Sequence, residues 1–75
     1  MYKVQDLKEG KIIEFKDNKE NLIAEIKKVS VKENTILLMD YTIGKNITLN
    51  IEELLMYMNN SDVKMHSIDS ISIPN

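Results

Sequence analysis

The chain contains no cysteine, no arginine and no tryptophan, and only one histidine, one proline and two glycines among its 75 residues. Each absence removes a class of explanation. Without Cys there are no disulfides and no thiolate metal sites. A lone His66 leaves no His-rich metal site, since structural and catalytic metals take three or four protein ligands. Without Arg there is no bidentate fork for phosphate, carboxylate or guanine. Gly10 and Gly44 are isolated, so no Gly-rich phosphate loop exists. No apolar run approaches the roughly 20 residues of a membrane-spanning helix. The N-terminal MYKVQDLKEGK lacks an apolar h-region, so no secretory signal is visible and a cytoplasmic protein is expected.

What is present is the composition of a folded chain, 43% hydrophobic and 29% charged, rather than a disordered one. The length fits one small domain spanning 1–75. A domain this small usually needs a staple, and with disulfides and metals removed, packing and self-association remain. The net charge of −2 is uneven: residues 1–32 hold eight Lys against six acids, and 33–75 hold two Lys against six. Nucleic-acid binding leaves a basic footprint, so the overall balance disfavours it, while a local Lys face stays open.

The apolar pattern predicts short elements joined by tight connections. KVQDLKE at 3–9, with Val4 and Leu7 at helical spacing before Gly10, reads as a helical turn ended by glycine or as an irregular lead-in. KIIEFK at 11–16 alternates, with Ile13 and Phe15 on one face, and reads as a strand; DNKEN at 17–21 is a polar turn. In 22–31 the phase shifts by one residue: Leu22, Ala24 and Ile26 share one face, Val29 and Val31 the other. A bulge near Lys27-Lys28 accounts for that. After a turn at 32–34, TILLMDYTI at 35–43 reads as a central strand, with Leu37, Met39, Tyr41 and Ile43 on its main apolar face and Ile36 and Leu38 on the other. Gly44-Lys45 is a two-residue hairpin turn, and Ile47 and Leu49 point inward from 46–50. Asn50 and Glu53 have capping-box spacing and start a helix at Ile51 that ends near Asn59-Asn60. The competing reading extends the strand, because Ile47, Leu49 and Ile51 continue its alternation. VKMHSIDSISI at 63–73 closes the chain as one or two strands broken near Asp69-Ser70.

The expected fold is therefore α+β, mainly β: a small antiparallel SH3-like or OB-like barrel or half-barrel of about five strands, with one short helix near 51–59. LKEGKIIEF at 7–15 resembles the first strand of many such barrels. Fold alone does not give function.

No nucleophile–base pair, carboxylate constellation or cofactor loop is legible, so no catalytic residue, metal or cofactor is assigned and a non-enzymatic protein is expected. Neighbouring helix residues diverge by about 100°, so Glu52 and Glu53 read as helix-start acids rather than an acid/base pair. His66 reads as an ordinary strand or surface residue. The NIT and NNS sequons at 46–48 and 59–61 are read as chance matches without a signal peptide.

The segment IEELLMYMNN is the most informative. On a helix from Ile51, residues 51, 54, 55 and 58 share one face and go to the core. Tyr57 falls on the flank and Met56 opposite, near the directions of Glu52 and Glu53. Met and Tyr suit contact surfaces, although single exposed apolar residues are ordinary. The candidate protein interface is thus Met56, Tyr57, Glu52 and Glu53. The expected role is a protein-interaction module, a small regulator or phage-type inhibitor acting by surface occlusion on an unidentified protein partner, with homo-oligomerisation admitted. The alternatives are a nucleic-acid-binding barrel using Lys27, Lys28, Lys11 and Lys16, and a small-ligand binder at a protomer interface. Stacking on bases needs exposed rings, and the pattern places Phe15 and Tyr41 inward.

Overall fold

The computed structural model describes residues 1–16 and 21–67. A 3-10 turn at Val4–Asp6 precedes β1 (Lys11–Lys16), β2 (Asn21–Ser30), β3 (Thr35–Asp40), β4 (Lys45–Asn50), α1 (Ile51–Asn59) and β5 (Val63–Ser67). The strands pair antiparallel in one open sheet of order β4-β3-β2-β1-β5. The last part of the expected terminal strand, with Asp69 and Ser70, lies outside the described residues, as do residues 17–20. No described helix is long and apolar enough to cross a membrane.

Directly opposed residues in antiparallel strands share a face, so the register sorts the side chains. Ile13 with Ala24 and Met65, Phe15 with Leu22 and Val63, Ile26 with Leu38 and Ile47, and Val29 with Ile36 and Leu49 form the inner face. The register shifts between Ile26 and Lys28, where the phase change in the sequence places it. That extra residue is why Val29 returns to the same face as Ile26. α1 lies on this face and buries Ile51, Leu54 and Met58 against it.

Three expectations about β3 are corrected. It ends at Asp40 rather than Ile43, because the buried Asp40 carboxylate accepts the Thr42 N–H at 2.8 Å, an Asx-turn that offers the backbone an alternative to the ladder. The connection is a turn over 41–44 with Gly44 last, at φ +69°, not a two-residue Gly44-Lys45 hairpin. The inner face carries Ile36 and Leu38, while Leu37 and Met39 lie half-buried on the other side. Tyr41 and Ile43 thereby leave the strand, and Tyr41 is 41% exposed rather than inward. Val31 likewise falls in the exposed turn at 31–34, not in β2.

The two outer strands are treated differently. Beside β5, the Tyr2 hydroxyl donates to the Val63 carbonyl at 2.7 Å. The Tyr2 N–H donates to Asn59 Oδ1 and its carbonyl accepts from Asn59 Nδ2, at 2.6 and 3.0 Å. The N-terminal segment is thus clamped between the end of α1 and the edge of the sheet.

Candidate functional site

The site begins with the helix cap. Asn50 stays extended at φ −76°, ψ 132°, and its Oδ1 accepts the Glu53 N–H at 3.1 Å. That fixes the start of α1, and 3.6-residue periodicity then sets which side chains face the sheet. Nine residues make a helix about 13 Å long, lying on five strands about 19 Å across. The helix therefore leaves a strip of the inner face uncovered toward β3 and β4. A cleft of about 400 Å³ opens there, lined by Phe15, Leu22, Leu38, Ile47, Leu49, Glu53, Leu54 and Tyr57. Among the described residues Glu53 is its one charged group. A near-wholly apolar lining of this kind offers contact area and little polar recognition.

Tyr57 stands at the edge of the cleft. Its ring meets Phe15 edge-on, with centroids 5.2 Å apart at 60°, the preferred geometry of an aromatic pair. It is still 54% exposed, and Met56 beside it is 67% exposed. Met56, Tyr57 and Glu53 share a shallow depression with Asn60 and Ser61. Glu52 is exposed on the other flank of the helix, in a hollow with Val31 and Leu55. The four residues assigned from the sequence thus divide: Met56, Tyr57 and Glu53 form one surface, and Glu52 faces away from it.

Lys11, Lys16, Lys27 and Lys28 do not assemble into one patch. Lys11 and Lys16 are at opposite ends of β1, about 17 Å apart along the strand, and their odd and even positions give them opposite faces. Lys28 is exposed on the outer face beyond the bulge. Lys27 is paired with Glu25 at 3.1 Å, so its charge is partly neutralised.

The outer face carries polar structure that the sequence reading missed. Ile12 is fully buried there, opposed by Glu25 on one side and His66 on the other. Glu25 is itself buried, and the Tyr41 hydroxyl donates to its Oε1. That hydrogen bond, reinforced by Lys27, holds the Glu25 carboxyl below its ordinary value against the opposing effect of burial. The same bond, with burial, raises the Tyr41 phenol. His66 Nε2 lies 3.2 Å from Glu14 Oε1, tying β5 to β1. Among the described residues no three His, Asp or Glu side chains converge as a cation cage.

The cleft was not legible because Leu22 comes from β2 and Ile47 and Leu49 from β4, strands that meet only through the sheet, and the short reach of α1 leaves them partly open. The available signal was length: a helix confined between Asn50 and Asn60 is too short to roof a five-stranded sheet. The chain matches no protein-family model, no curated protein and no solved structure.

Proposed function

We propose that this chain is a non-enzymatic protein-interaction module that works by occupying a surface of another protein, as a small regulator or phage-type inhibitor does. The observation that carries the reading is the pair Met56 and Tyr57, 67% and 54% exposed: Tyr57 lines the apolar cleft that the chain's own helix leaves open, and Met56 adjoins it in a shallow depression shared with Glu53. Solvent exposure of a Met and a Tyr beside further apolar surface costs free energy that a partner recovers. Glu53 at the same cleft favours a partner segment with an apolar anchor and a neighbouring basic residue. The fold behind this reading is a bent SH3-like or OB-like half-barrel, with the β2 bulge as its corner. Such a module acts in the cytoplasm.

The Lys-based nucleic-acid reading has less support, since Lys27 is engaged by Glu25 and Lys11 and Lys16 lie on opposite faces.

The test is comparative capture from a lysate of the source organism with wild-type protein and Met56→Glu. Met56 makes no core contact, so the variant keeps the fold while placing a charge in the contact surface. A protein retained by the wild type and lost with Met56→Glu, at unchanged circular dichroism, is the expected result. Identical captured sets from both proteins count against the reading.

A further inference from the structure

β4 is an outer strand of the sheet, and no described strand pairs with its far side. Which backbone groups face that edge follows from two hydrogen bonds. The Ile51 N–H donates to the Asn34 carbonyl at 3.0 Å, extending the β3–β4 ladder, and the Tyr41 N–H donates to the Ile23 carbonyl at 2.9 Å, extending β2–β3. Antiparallel ladders alternate. Ile47 and Leu49 therefore spend their backbone groups on β3, and Asn46 and Thr48 direct theirs outward. The strand KNITLN has no proline and no described bulge, and its one charge, Lys45, stands at the end of the strand rather than in its middle, which leaves the central edge without the usual blunting devices. At the other side of the sheet, Tyr2 occupies the outward carbonyl of Val63.

We propose that a second copy of this chain adds antiparallel to β4, about a two-fold axis through Thr48, to give a continuous ten-stranded sheet. In that register Thr48 opposes the partner's Thr48, Ile47 opposes the partner's Leu49, and Asn46 opposes the partner's Asn50. The outward backbone groups then meet as hydrogen-bonded pairs, and apolar residues meet apolar ones. Charge selects the same arrangement. Lys45, at one end of β4, is opposed to position 51 of the partner, where Glu53 sits at the cleft beside Leu49. Antiparallel pairing makes two Lys45–Glu53 contacts by symmetry, whereas parallel pairing sets like ends together. A two-fold axis perpendicular to the sheet leaves both helices on one side, so the dimer presents two Met56–Tyr57 surfaces together. The dimer stands on the backbone ladder and charge placement, independently of whether Met56 and Tyr57 bind another protein.

Sedimentation equilibrium across a concentration series tests it. The wild type moves from 8.7 kDa toward twice that mass, and Lys45→Glu weakens association about tenfold, since each edge then opposes like charges. The double variant Lys45→Glu with Glu53→Lys restores it. Thr48→Pro removes an outward N–H without touching the β3–β4 ladder, which edge positions tolerate, and yields monomer with an unchanged far-ultraviolet spectrum. Should that variant fail to fold, the charge exchange decides. A wild type that stays monomeric at millimolar concentration, or a dimer indifferent to Lys45→Glu, overturns the proposal. Met56→Glu leaves the dimer mass unchanged, which separates this outcome from failure of partner binding.

Discussion

Removing the Tyr41 hydroxyl tests how the outer face is held. Tyr41→Phe keeps the ring and deletes the donor to Glu25. A hydrogen bond to a charged acceptor contributes about 1.5–3 kcal/mol, and Tyr41 is sufficiently solvent-exposed to put it at or below the low end, about 1–1.5 kcal/mol. For a domain of this size that lowers Tm by about 5–10 °C. The pH dependence follows from the two shifts. Glu25 is held below its ordinary 4.5, so its stabilisation is complete above that value and fades as pH falls through the lowered folded-state pKa. Tyr41 is raised above its ordinary 10.0, so its share is complete below that value and fades as pH rises through the raised one. The loss caused by Tyr41→Phe should be constant from about pH 5 to pH 9 and shrink at pH 3. Urea unfolding followed by circular dichroism at pH 3 and pH 7, with Glu25→Gln and the double variant, completes the cycle. An equal loss at both pH values, or additive single variants, refutes the account.

Two further expectations concern the helix. Met58→Ala opens a cavity beneath α1, where Met58 is fully buried, and should cost about 2–4 kcal/mol in urea unfolding. Asn50→Ala removes the cap on Glu53 N–H and should cost about 1 kcal/mol, with Asn50→Asp near neutral; equal losses in both variants would show that the cap contributes nothing.

Local signals were read well where one residue type settles the backbone. The slip from Leu22-Ala24-Ile26 to Val29 located the bulge, and Asn50 with Glu53 located the helix start. Both are short-range matters of period and capping. The end of β3 was misread because the pattern of TILLMDYTI continues past the point where the Asp40 carboxylate captures Thr42 N–H. Its inner face was misread because Ile36, Leu37, Leu38 and Met39 are all apolar, so alternation gives no sign of which side α1 covers. Met56 and Tyr57 were placed correctly by helical geometry alone. The cleft beside them, and the Tyr41–Glu25 bond, depend on strands meeting across the sheet, which no local spacing encodes.

The clamp of Tyr2 onto Asn59 and Val63 has a kinetic consequence. Those contacts join residues 57 and 61 positions apart, whereas β2, β3 and β4 are joined by short turns. Long loops close at greater entropic cost, and low-separation contacts form sooner. The meander therefore assembles with both of its borders bare, and the guard at β5 arrives last. During that interval the backbone groups at both borders are unpaired, and an unpaired border is a template for another chain. Tyr2, close to the start of the sequence, is therefore joined to the Val63 carbonyl only after the strands between them have assembled.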